Sequence, residues 1–203
     1  QLRLINSADG KTLPASTFIP SNRIGVIRSL QWHRKNDGLI YDYEWALSPG
    51  LIRSIRIGAK EPTNWAASDT GKLDLDHIAI PRLLTLRSVD GVQFDSVVYI
   101  AGKTVNGTFR PKFTSRPRPV LVLFHGGPES QFRPRYMGQL NYLINELGIA
   151  LICPNVRGSR GYGKKFLKLD NGTARAGVVR DIQRLRNAIA EDTSFDADRI
   201  AVM

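Results

Sequence analysis

The 203 residues are 42% hydrophobic and 23% charged, the balance of a globular chain, and carry a formal net charge of +11. No apolar run approaches the ~18 residues a membrane-spanning helix needs, and the single Cys153 excludes an internal disulfide and any multi-cysteine metal site. The basic residues are scattered rather than gathered on one helix with interleaved aromatics, so neither a nucleic-acid nor a membrane partner is expected.

The first eighty or so residues read as strands and tight turns. A short strand ends near Trp32, and Lys35-Asn36-Asp37-Gly38 supplies the positive-φ positions of a hairpin. Residues 39–47 alternate and are rich in Tyr and Trp, as a strand with one buried face should be. Ser48-Pro49-Gly50 is expected to turn the chain into a further strand over 51–57. Three such strands cannot close a core alone. They read as one blade of a larger repeat, with LRLINSADGKTL (2–13) as remains of another. Residues 58–82, rich in Pro, Ser, Thr and Asp, read as connecting loops. His77 lies there beside Asp74 and Asp76, and His33 in the hairpin approach. Their spacing fits no compact ligand set, so both read as solvated or hydrogen-bonded histidines.

From Leu83 the pattern changes. LLTLRSVDGVQFDSVVYIA reads as strand, Asp90-Gly91 turn, strand, and PVLVLFH as a strand covered on both faces. RYMGQLNYLINELG places Tyr136, Leu140, Leu143, Ile144 and Leu147 at helical spacing, with Gly148 as the stop. IALICPNV is another buried strand, which makes Cys153 a structural thiol. GVVRDIQRLRNAIAED repeats Val178, Ile182, Leu185 and Ile189 as a second helix, and RIAVM opens a last strand. Alternation of this kind predicts an α/β unit, a parallel sheet flanked by helices.

The chemistry sits in His125-Gly126-Gly127-Pro128, at the end of the third strand of this unit. In α/β hydrolases the loop in that place donates a backbone N–H to the oxyanion hole. Donors must lie ~2.7–3.1 Å from the oxygen that gains charge, and glycine removes the Cβ that would block the approach. The same residues are equally consistent with a Gly-Gly turn that only reverses the chain. His125 precedes any nucleophile, against the Ser…Asp/Glu…His order of that fold, so it is not read as the base.

HGGPES, then PNVRGSRGYGKKF, then DADRIAVM together resemble the catalytic domain of the prolyl oligopeptidase family of serine peptidases, nearest the acylaminoacyl-peptidase and dipeptidyl-peptidase branches. The resemblance implies the N-terminal half of an α/β-hydrolase domain over 83–203, preceded by β-propeller blade remnants over 1–82. It implies hydrolysis of oligopeptides through an acyl-enzyme, a peptide substrate, and no metal or organic cofactor. Gly126 and Gly127 would form the oxyanion hole, with His125, Arg157 and Tyr162 as substrate-pocket candidates. Some branches carry at the His125 position a tyrosine whose hydroxyl helps bind the oxyanion; histidine here leaves only the backbone role. Arg157 reads more simply as a structural ion pair, Tyr162 as packing under its loop, and Asp181 as a helix carboxylate meeting an arginine. No Gly-x-Ser-x-Gly occurs in the chain, and Ser159, preceded by Arg157 where the elbow needs glycine, reads as a loop serine. Nucleophile, Asp and His are therefore expected beyond Met203, leaving these residues inactive alone. An esterase or lipase, and a non-catalytic binding protein on the same fold, are the alternatives. Compartment and oligomeric state are left open.

Overall fold

The computed structural model describes residues 25–203, apart from 36, 76–77, 106–107 and 128. The stretch 2–13, Asn36, His77 and Pro128, on which expectations were placed, lie outside the described residues. The chain divides into two compact units, Gln1–Leu73 with Pro134–Tyr136, and Asp74–Arg133 with Met137–Met203.

The described part of the first unit is an antiparallel meander: β1 (Gly25–Trp32), β2 (Gly38–Trp45), β3 (Ser48–Arg56) and β4 (Thr63–Ala67), hydrogen-bonded in that order. Period-two alternation puts Leu39, Tyr41 and Tyr43 on one face with Ile55, all buried. Ile40 and Ile52 are exposed. Two expectations are corrected here. The β2–β3 reversal falls at Ala46-Leu47, because Trp45 pairs with Ser48, so Ser48-Pro49-Gly50 opens a strand instead of turning the chain. Pro49 and Gly50 together oppose Glu44 as a bulge, which accommodates a proline with no N–H to give the ladder. The second correction is β4, which lies inside the stretch expected to be loop. It is exposed at every residue and so shows no alternation, and it is held by backbone pairing to β3 and by Trp65 Nε1 donating to Ser54 Oγ at 2.7 Å. His33 Nδ1 lies 2.8 Å from Asp37 Oδ1, the hydrogen-bonded histidine that was expected.

The second unit is built on a five-stranded sheet of β5 (Arg82–Arg87), β6 (Gln93–Tyr99), β9 (Arg118–Val122), β10 (Ala150–Asn155) and β11 (Phe195–Val202), in the order β11-β9-β10-β6-β5. β11, β9 and β10 are parallel, whereas β6 runs antiparallel to both β10 and β5, so the sheet is mixed rather than wholly parallel. The β5–β6 reversal uses Asp90-Gly91, with Gly91 at φ +85°. A separate hairpin, β7 (Gly102–Val105) with β8 (Thr108–Pro111), was not foreseen.

Both faces of this sheet are covered. Val98, Ile100, Val120, Val122 and Ile152 pack against Leu185 and Ile189 of α3 (Gly177–Glu191), which follows the short α2 (Lys164–Leu167). Val97, Tyr99, Leu151 and the fully buried Cys153 pack against Phe132, Met137 and Ile144 of α1 (Leu140–Asn145). The first helix is shorter than its apolar spacing predicts. Gly138, at φ +54°, breaks the backbone before it, and Gly148, at φ +70°, ends it as Ile149 N–H reaches back to Leu143 C=O at 3.0 Å. In α3 the buried stripe is Gly177, Asp181, Leu185 and Ile189, while Ile182 is 40% exposed. The position expected to hold an apolar contact is occupied by a carboxylate with an ionic partner.

Candidate functional site

β9 runs between its two parallel neighbours and stays paired past its assigned end. Leu123 N–H donates to Ile152 C=O and Phe124 N–H to Met203 C=O, both at 2.9 Å. His125 is the first residue to leave the ladder. Gly126 and Gly127 follow, exposed, with Gly127 at φ +63°. A Cβ built on either would meet nothing within 4 Å. Ser130 N–H closes a turn onto Gly127 C=O at 3.2 Å, while the N–H groups of Gly126 and Gly127 have no acceptor among the described residues. The loop thus presents donors to open space at the C-terminal end of a central parallel strand.

The His125 imidazole points the other way. Its Nε2 lies 2.8 Å from Ser159 Oγ, and its ring sits 6.0 Å from that of Phe132. Burial pushes its pKa below the ordinary histidine value, so the ring is neutral at neutral pH. The sequence reads Ser159 as a loop serine and does not identify it as a partner of His125; nothing in the spacing announces a contact across 34 residues.

The loop after β10 braces this arrangement. The Asn155 side chain, 1% exposed, accepts from Phe132 N–H at 2.7 Å and donates to Phe132 C=O at 2.9 Å, pairing with the backbone as a neighbouring strand would. It also donates to Tyr162 Oη at 3.1 Å. Burial raises the Tyr162 pKa, and its ring packs on Phe166 at 4.9 Å, so this residue supports the loop. Arg160 N–H donates to Ser130 C=O at 2.9 Å, and its guanidinium meets Glu129 at 3.2 Å. Gly127, Glu129, Ser130, Gln131, Arg133 and Arg160 line an open depression of about 600 Å3.

Arg157 is spent internally. Its Nε and Nη2 donate to Asp181 at 3.0 and 2.6 Å, and Nη1 and Nη2 donate to Asp90 at 2.7 and 2.9 Å. Asp181 is fully buried and also accepts the Arg157 N–H at 2.9 Å. The guanidinium holds the Asp90 carboxyl far below its usual range, and the two carboxylates push the Arg157 pKa up. The structural ion pair is the reading this geometry supports. Asp181 was foreseen as a helix carboxylate meeting an arginine, without Arg157 being identified as that arginine; Asp90, in the β5–β6 turn 67 residues away, was not foreseen.

Among the described residues, then, the loop after β9 carries amide donors without an acceptor, and the loop after β10 braces it. Ser159 stands beside an imidazole, but its hydroxyl donates to Val156 C=O at 2.7 Å. No group there is arranged to remove its proton.

The sequence profile of the prolyl oligopeptidase family matches residues 134–203. The acylamino-acid-releasing enzyme of Sus scrofa is 32% identical over 85 residues, which is 42% of this chain and 12% of that enzyme. An uncharacterised peptidase of Bacillus subtilis is 27% identical over 156 residues, 76% of this chain and 22% of that protein. The matches therefore span a minor part of the length of these relatives. The fold resembles the crystal structure of a puromycin hydrolase at a TM-score of 0.78 and 19% identity, over 98% of this chain and 29% of that one.

Proposed function

We propose, from a chain whose C-terminal part is prolyl oligopeptidase family sequence, that these residues serve a serine peptidase which cleaves oligopeptides through an acyl-enzyme. In this reading residues 83–203 are the N-terminal half of an α/β-hydrolase domain, and residues 1–82 end a β-propeller. The strand order β11-β9-β10-β6-β5, with antiparallel β6 and a parallel trio, supports the first. The four-stranded meander β1–β4 supports the second, since a propeller blade has four strands.

The observation that carries the reading is the pair of unpaired amide N–H groups at Gly126 and Gly127, free of steric cover where β9 leaves the sheet. When a serine attacks a peptide carbonyl, the carbonyl oxygen becomes an alkoxide. Donors already aimed at that position stabilise it without reorganising. Asn155 and Arg160 fix the loop that follows, so the donors hold still while charge builds. The attacking serine and its histidine are supplied from outside these 203 residues. His125 and Tyr162 brace the loops behind the donors, and Arg157 holds the loop after β10.

The test uses the complete natural protein. A fluorophosphonate should label one serine, in a glycine-flanked elbow, and labelling should abolish hydrolysis of short peptides. Labelling at Ser159, or peptide hydrolysis that survives complete labelling, would remove the assignment. The esterase alternative is separated by the same preparation, which would then turn over esters but no peptide.

A further inference from the structure

We infer that Ser159 is a positioning residue for the oxyanion loop: through its hydrogen bond it holds His125 as the Nε2–H tautomer and so fixes where Gly126 and Gly127 leave β9. The inference rests on the peptidase reading above for its kinetic consequence, but not for the bond itself.

The proton positions follow from valence. A backbone carbonyl only accepts, so the 2.7 Å contact between Ser159 Oγ and Val156 C=O consumes the one proton the hydroxyl has. The 2.8 Å contact to His125 must then be donated by the ring, from Nε2–H to a lone pair of Oγ. His125 Nδ1 is left as a bare lone pair, and it is buried without a hydrogen-bond partner among the described residues. The opposite tautomer would set two lone pairs facing each other at Nε2 and Oγ; the backbone of His125, Gly126 and Gly127 lies close to the ring and favours a ring proton, but it offers an Nδ1–H no hydrogen bond of normal geometry, so that N–H would be buried unpaired. Doubly protonated imidazole would bury the same unpaired N–H with a charge.

The anchor is rigid. Ser159 is 1% exposed, and its own N–H also donates to Val156 C=O at 3.1 Å. Two residues earlier in the same loop, Arg157 is clamped by Asp181 and Asp90. His125 is the residue immediately before the glycine pair, so a ring held at Nε2 limits the freedom of the backbone that carries the donors. The polarity is the reverse of a nucleophile and its base: here the imidazole N–H donates the hydrogen bond and the serine hydroxyl oxygen accepts it. A small displacement of the donors would be felt in turnover rather than in affinity, because they meet the oxygen fully only when it is charged.

The experiment uses the complete natural protein. With 15N-labelled histidine, long-range correlation spectra of the wild type should show the His125 proton on Nε2, and Ser159→Ala should lose that single-tautomer pattern. In kinetics, Ser159→Ala should lower kcat by on the order of tenfold to a hundredfold with KM within about twofold. Ser159→Thr, which keeps a hydroxyl, and His125→Gln, whose amide nitrogen can donate from the Nε2 position, should retain most of the turnover. An Nδ1–H tautomer in the wild type, or an unchanged kcat in Ser159→Ala, overturns the inference. If Ser159→Ala does not fold, the wild-type spectrum and the other two variants still decide it. If the wild type cleaves no peptide or ester, the peptidase reading falls, while the tautomer spectrum still rules on the bond.

Discussion

Two glycine-rich loops follow adjacent parallel strands in this protein, and they use glycine for opposite reasons. After β9, a Cβ on Gly126 or Gly127 would point into empty space. After β10, a Cβ on Gly158 would stand 2.3 Å from Asp170 Cγ, and one on Gly161 would stand 2.4 Å from Gln131 Nε2. In the second loop the places at Gly158 and Gly161 are filled by neighbours, so those two glycines serve packing, while Gly163, at φ +90°, is open. In the first loop the vacancy is kept, together with amides that have no acceptor among the described residues. A left-handed turn alone does not separate the two cases, since Gly127, Gly158 and Gly161 all have positive φ. What separates them is what occupies the place of the absent Cβ.

That contrast can be broken most directly at Gly127. On the proposed peptidase reading, Gly127→Val should reduce turnover of the complete natural protein by about 10²–10³, as removal of an oxyanion donor does, with little change in substrate affinity. Its stability should fall only by the cost of a left-handed non-glycine residue, roughly 1–2 kcal/mol. Gly126→Ala, at an open position without positive φ, should be nearly silent in stability. Steady-state kinetics beside chemical denaturation give both numbers, and an unchanged turnover in Gly127→Val would take this loop out of the mechanism.

Gly158→Ala should show the reverse pattern. The new methyl group has to displace the Asp170 carboxylate and adopt φ +91°, so a loss of about 2 kcal/mol or more in denaturant unfolding is expected. Any activity change should follow the folded fraction. A well-folded Gly158→Ala variant with depressed turnover would mean that both loops touch the chemistry.

The smallest effect concerns the brace under the second loop. Arg157 and Arg180 hold the Asp90 carboxyl well below its unfolded value of ~3.9. A depressed carboxyl pKa adds stability that is complete above the unfolded value and drains away as pH falls toward the folded one. Unfolding free energy should therefore decline below about pH 4 in the wild type, and Asp90→Asn should be less stable at neutral pH with a shallower acid decline. Equal slopes for the two proteins would mean that other carboxylates set the acid limb.

Much of the fold could be read before the structure was seen. Alternation marked β2, the Asp90-Gly91 turn marked β6, continuous apolar runs marked β9 and β10, and helical spacing marked α1 and α3. What escaped has particular causes. β4 has no buried face, so no periodicity records it. Ser48-Pro49-Gly50 has turn chemistry, but Ser48 pairs with Trp45 and Pro49-Gly50 lie opposite Glu44 as a bulge, a choice made by pairing with β2. Ile182 has the right spacing for the core, yet Asp181 takes the inward position because Arg157 is there to neutralise it. In the site, the glycines and the family motifs were legible. Asn155 pairing with Phe132, Asp90 reaching Arg157, and Ser159 meeting His125 were not.

By itself, then, the sequence determined the local terms: which segments are apolar on one side, where glycine frees the backbone, and which residue types could serve an acyl-transfer site. Tertiary structure alone decided which polar atoms face each other. Contacts such as Arg157 to Asp90 and His125 to Ser159 join residues far apart in the chain. Their strength comes from burial, which makes an unpaired donor or charge costly, and burial exists only once the sheet and both its flanking layers have assembled.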